Sequence, residues 1–169
     1  TPKIPRHVYN GKYIETYDFV KNEADLRERA VRTCQTVTGI DRLVGSLITE
    51  LQNQKLYENT IIVFPSDHGL HFGEHGLGGK VLLYEESIRV PLIIFDPRQP
   101  ADQRAKKPEH LVLTIDIAPT LLDLAGLPID SEMQGRSLRP VLAKGGTTAW
   151  RSDFFAENMF MGQHYPRIE

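Results

Sequence analysis

Apolar positions along this chain switch between two periods. From Glu23 to about Tyr57, Leu26, Ala30, Cys34, Val37, Val44, Ile48 and Leu51 recur at helical spacing with charges between them, as expected of a long helix covering a sheet. Asp41 falls on the same stripe, where it suits a partly exposed edge or a basic partner beneath the helix. Thr60 to Phe64 and Val90 to Phe95 are short apolar runs, which read as strands buried on both faces, as in a parallel sheet. Pro91 is tolerable near the start of the second. A further helix is expected over Ile117 to Leu124, capped by the Asp116 carboxylate and ended by Gly126. His110 to Thr114 and Asp153 to Glu157 read as short strands, and Asp96 to Pro108 as a charged surface loop. Ile129 to Gly146 reads as loop plus a helical turn at Leu138 to Leu142. Residues 1–22 lack periodicity and read as an approach segment.

Composition narrows the partners. Twenty basic against 22 acidic residues leave a net charge of -2, which points to neither nucleic acid nor an acidic membrane as partner. No apolar run is long enough to span a bilayer. With 40% hydrophobic residues in 169, a sizeable core is possible at the scale of one domain. Cys34, the single cysteine, excludes an internal disulfide, and its place on the helical stripe reads as a small buried side chain rather than a nucleophile.

Chemistry concentrates between the two strands. Asp67, His68 and Gly69 directly follow the first, where site residues gather in α/β sheets. A carboxylate beside an imidazole can meet one cation if the chain turns as it leaves the strand, and Gly69 permits the turn. Two ligands do not complete a shell, so others must come from elsewhere. On the tripeptide alone, an Asx-type turn with His68 merely hydrogen-bonded is the commoner reading. The loop that follows shifts the balance. Gly69, Gly73, Gly76, Gly78 and Gly79 carry little bulk and Lys80 ends the loop with an ammonium, a composition suited to a charged oxyanion group. His71 and His75 read either as lining the entrance or as forming loop hydrogen bonds. Glu74 reads as structural, and Glu85, Glu86 and Arg89 stand at ion-pair spacing.

Ser66-Asp67-His68-Gly69, Gly73-Glu74-His75-Gly76-Leu77, Gly79-Lys80 and Leu83-Tyr84-Glu85-Glu86-Ser87-Ile88-Arg89-Val90-Pro91-Leu92-Ile93-Ile94 together resemble the second metal-binding block of the sulfatase family, within the alkaline phosphatase superfamily. Asp116 to Gly126 and Met133-Gln134-Gly135-Arg136-Ser137-Leu138 are similar to a later block of that family. The resemblance implies an α/β fold with a mixed, mainly parallel sheet flanked by helices, of which this chain is an incomplete fragment. Its partial catalytic domain would run over 23–157, with 158–169 opening a C-terminal region. It further implies that Asp67 and His68 are metal ligands, most often to Ca²⁺, and that Lys80 is a catalytic and substrate-binding lysine at the sulfate, with His71 and His75 as further substrate-binding candidates.

The family's nucleophile is a formylglycine made within a Cys/Ser-x-Pro/Ala-x-Arg motif, and these 169 residues contain no such motif. The expected function is therefore part of a sulfuric ester hydrolase, inactive alone, acting on a sulfated small molecule or glycan. A phosphodiesterase or phosphatase of the same superfamily, or a module binding cation or sulfated glycan, are the alternatives. The resemblance also implies an exported parent, periplasmic, extracellular or lysosomal. Strands and helices without their usual neighbours are expected to leave the chain poorly soluble, self-associating or dependent on a companion such as the N-terminal half.

Overall fold

The computed structural model describes residues 23–157, apart from 73, 77, 81, 101, 103, 105, 106, 144, 145, 147 and 148. The approach segment expected at 1–22, the stretch 158–169 and Gly73 of the glycine loop lie outside the described residues.

The first element is the long helix expected from the pattern, α1 (Glu23–Asn53), with Glu23 and Asp25 in its first turn, where negative charge suits the helix dipole. It ends where Lys55 adopts a left-handed φ of 59° and the Leu56 N–H donates to the Leu51 carbonyl at 2.8 Å, a closure that satisfies carbonyls of the last turn. A 3-10 turn follows at Tyr57–Asn59, and the Tyr57 ring stacks on Phe95 with centroids 5.2 Å apart. The helix end is thereby tied to the sheet.

Strand β1 (Ile62–Pro65) pairs with β4 (Leu92–Phe95), and Val63 lies opposite Ile94. Between them, β2 (His71–Phe72) and β3 (Gly78–Gly79) close a small ladder, and α2 (Glu85–Ile88) leads into β4. Helix α3 (Ile117–Leu124) and the single turn α4 (Arg139–Leu142) complete the elements.

The α/β class is as expected, but four local readings change. Both ladders among the described residues are antiparallel, so the parallel partners expected for the two apolar runs do not occur there. Ile62 to Phe64 are half-buried rather than enclosed on both faces. His110 to Thr114 and Asp153 to Glu157 are not strands; the first ends in a 3-10 turn at Thr114–Asp116, where a carboxylate, not a neighbouring strand, takes the Leu113 N–H. Cys34 is exposed, because no described residue of α1 is buried. Asp41 is exposed with it.

The interior centres on α3 and α4. Leu124, Leu138 and Val141 are the buried apolar side chains among the described residues, beside buried Asp116, Pro119 and Thr120. Asp116 does not cap α3 as expected, since its side chain makes no capping bond. Its two oxygens instead accept the N–H groups of Leu113 and Arg136, both at 2.8 Å, and both guanidinium nitrogens of Arg151. Arg151 also lies over the Trp150 ring, whose N–H donates to the Leu111 carbonyl. One carboxylate thus ties three distant segments together. Thr120 adds a second tie, accepting the Leu138 N–H at 2.8 Å while donating to the Asp116 carbonyl. Gly135 sits so close to the Ile115 carbonyl that a Cβ would fall 1.9 Å from its oxygen; only glycine fits that approach.

Candidate functional site

The chain leaves β1 at Pro65, and its next residues carry the expected pair. His68 Nε2 lies 3.0 Å from one Asp67 oxygen, and the other oxygen accepts the His68 backbone N–H at 2.9 Å. Asp67 is exposed and His68 partly covered. The Asp67 carboxyl is held below its ordinary value, first by that backbone N–H and, to a smaller extent, by the neighbouring His68 and Lys80, against the upward pull of burial. His68 Nδ1 is buried without a hydrogen-bond partner among the described residues.

Gly69 is needed here for a different reason from the one the sequence suggests. Its φ is not positive. Its N–H donates to the Ser87 carbonyl at 2.8 Å, and a Cβ would stand 2.0 Å from the Glu86 carbonyl oxygen. The glycine permits contact with α2.

The far side of α2 holds the histidines. His75 Nε2 faces both Glu86 oxygens at 3.2 and 3.3 Å, and its ring stacks on Tyr84 with centroids 4.3 Å apart. His71 is buried, with Nδ1 3.3 Å from the Ser87 hydroxyl and its edge on the Tyr84 ring at 5.6 Å. His75 has a left-handed φ of 56°, uncommon for a residue with a Cβ. The Glu86 carboxyl is held low, first by its own backbone N–H and then by His75 and His71. Of the expected ion-pair trio only Glu85 and Arg89 meet, at 3.9 Å; Glu86 turns to the histidines because the hairpin β2–β3 lies against it. Glu74 accepts the Phe72 N–H and closes its own turn. The sequence pattern alone misses Tyr84, Glu86 and Ser87 as partners of the histidines. Their signal is the run Tyr84 to Ser87 itself, polar residues in a helix too short to show a period.

Among the described residues no group of three His, Cys, Asp or Glu is arranged to hold a metal ion. Asp67 and His68 nevertheless fit a hard or borderline cation as two of its ligands, with an exposed oxygen and an imidazole nitrogen now satisfying each other. A separate cleft of about 730 Å³ lies among Asp96, Arg98, Asp123, Leu124 and Arg139. Its charges are paired: Arg98 with Asp96 at 2.8 Å and Arg139 with Asp123 at 2.9 Å. None of Asp67, His68 and Lys80 lines it. No described helix is long and apolar enough to cross a membrane.

An acid and an imidazole thus face each other at a strand exit, ahead of the hairpin that Lys80 directly follows. Residues 5–127 match the family model Sulfatase, and the chain belongs to the sulfatase family. It is 42% identical over 118 residues to the N-acetylglucosamine-6-O-sulfatase of Bacteroides thetaiotaomicron, covering 69% of this chain and 21% of that protein. Among solved structures it resembles a protein in complex with its substrate D-glucosamine-2-N,6-O-disulfate, with TM-score 0.55 and 38% identity over 73% of this chain and 26% of the other. It also resembles a phosphonate monoester hydrolase from Silicibacter pomeroyi, with TM-score 0.68 and 30% identity over 83% and 27%. The chain thus spans about a fifth of the length of the curated relative, and about a quarter of each solved one.

Proposed function

We propose that residues 23–157 are part of the catalytic domain of a sulfuric ester hydrolase acting on a sulfated sugar, with Ser66 to Ile94 as its second metal-binding block. Asp67 and His68 are two ligands of a divalent cation, Ca²⁺ in the first instance, and Lys80 is the ammonium that meets the sulfate oxygens. The observation that carries this reading is the facing of Asp67 and His68 at 3.0 Å just after β1, with Lys80 directly following Gly79 of the hairpin. A cation held there would supply Lewis-acid stabilisation of the oxyanion. Lys80 opposes negative charge growing on the sulfate oxygens. The sugar is argued from two relatives, one named for N-acetylglucosamine-6-O-sulfate chemistry and one solved with a sulfated glucosamine. His71 and His75 act at the loop's base, through Ser87 and Glu86.

The formylglycine motif is not among these 169 residues, so an assay of sulfate release must supply a segment that bears it. The test is to combine the chain with the N-terminal portion of the Bacteroides relative and measure sulfate release from N-acetylglucosamine 6-sulfate. Lys80→Ala is expected to lower kcat about 10²–10³-fold, the loss of one positioned charge donor. Asp67→Asn and His68→Ala should raise the Ca²⁺ concentration needed for half-maximal rate. Sulfate release indifferent to Lys80→Ala would sink the assignment.

The phosphonate hydrolase neighbour supports a second reading, hydrolysis of a phosphonate or phosphate monoester at the same residues. The same assay with a phenyl phosphonate monoester separates the two by the ratio of kcat/KM values. For a purely binding module, retention on a sulfated glycan would depend on Lys80, and unchanged retention by Lys80→Ala removes that reading.

A further inference from the structure

We propose that α2 is the positioning element of this site, with Glu86 holding His75 and thereby setting where the hairpin β2–β3 presents Lys80 to the Asp67–His68 pair. The inference rests on reading those three residues as cation and oxyanion groups, and adds a residue that touches neither.

Within the run Tyr84 to Ser87, Tyr84, Glu86 and Ser87 between them touch both arms of the site. On one side, the Ser87 carbonyl accepts the Gly69 N–H at 2.8 Å, and the Glu86 carbonyl leaves no room for a Cβ on Gly69. Gly69 is the residue after His68, so this contact anchors the cation pair. On the other side, Glu86, Tyr84 and Ser87 hold His75 and His71 by the bonds and ring contacts described above. His71 opens β2, and its partner in the ladder, Gly79, immediately precedes Lys80. The hairpin and the strand exit therefore share one support.

The left-handed backbone of His75 is unfavourable for a residue with a Cβ and persists only when the surroundings determine it. A carboxylate accepts and cannot donate, so His75 Nε2 carries the proton toward Glu86. With that bond removed, the turn Glu74–Gly76 loses its attachment to α2 except through the Tyr84 stack. Glu85, one residue away, pairs only with exposed Arg89 among these contacts, and serves as the control.

The experiment uses the whole chain and Mn²⁺ alone as a paramagnetic probe, read by NMR. In the wild type, Mn²⁺ is expected to broaden the side-chain signals of Asp67, His68 and Lys80. Glu86→Ala should leave Asp67 and His68 broadened, reduce the broadening of Lys80 severalfold and abolish the hydrogen-bonded Nε2–H signal of His75. Glu86→Gln retains an acceptor oxygen and should restore most of both, while Glu85→Ala should match wild type. His75→Gln tests the same bond from the other side if Glu86→Ala does not fold. Unchanged Lys80 broadening in Glu86→Ala overturns the inference and leaves the cation reading intact. If Mn²⁺ fails to broaden Asp67 and His68 in the wild type, the cation reading falls. Amide exchange at Gly79 and Lys80 then decides the positioning role: faster in Glu86→Ala and restored in Glu86→Gln supports it, and no change overturns it.

Discussion

Asp116 is fully buried and accepts from two backbone N–H groups and the Arg151 guanidinium. Burial alone pushes its carboxyl up, and the bonds from Arg151, Arg136 and Leu113 outweigh it, so the group is held below its ordinary value. Its folded pKa lies under the unfolded value of about 3.9. The stabilisation is therefore complete above the unfolded pKa and lost as pH falls through the folded one. Asp116→Asn leaves Arg151 covered without its counter-charge, and is expected to cost about 3–5 kcal/mol in urea denaturation at pH 7. The variant should also lose part of the wild type's acid limb below about pH 4. Equal midpoints at pH 7 would show that Arg151 finds another partner. Legibility at this scale followed sequence distance. Asp67, His68 and Lys80 can be proposed together from sequence because they lie in one short loop with a recognisable order. The Asp116–Arg151 tie spans 35 residues and the His75–Glu86 bond 11, and no local period marks either.

At the scale of elements, two kinds of glycine should respond oppositely to the same methyl group. Gly45 lies inside α1 with nothing within 4 Å of a built Cβ, whereas Gly69 abuts the Glu86 carbonyl. Gly45→Ala is expected to raise stability by about 0.8–1.0 kcal/mol through helix propensity. Gly69→Ala must move β1's exit or α2, at a cost of about 1–3 kcal/mol. Urea midpoints for the two variants check both signs. Long elements are readable because α1 and α3 repeat a pattern over enough residues to reveal a buried or half-buried face. The two-residue strands of the hairpin and the four-residue α2 are set by contacts with each other. Pattern could not show them, and it misled at His110 to Thr114, where apolar residues lead into a turn organised by Asp116.

Over the whole molecule, the stripe of α1 is half-covered at Leu26, Val44, Ile48 and Leu51, and the apolar row beside it is bare. Val37, Leu43 and Leu47 are 58%, 69% and 51% exposed, with Val31 and Ile40 beside them, and only Leu124, Leu138 and Val141 are buried apolar side chains among the described residues. Ile93 of β4 and Phe155 are also exposed, so the uncovered surface is not confined to the helix. Isolated exposed side chains are ordinary, but a helical row of them favours association, since apolar area removed from water contributes roughly 25 cal/mol per Å². The chain alone is therefore expected to self-associate at micromolar concentration, with a sedimentation coefficient that rises with loading. Leu43→Lys with Leu47→Lys places two charges on the row without altering helix propensity much, and should shift the distribution toward monomer. A wild-type chain that sediments as a monodisperse monomer and melts cooperatively would show that α1 covers this row by folding against its own sheet. In that case the double lysine variant should be destabilised instead of dispersed, so the two outcomes differ in sign as well as in size.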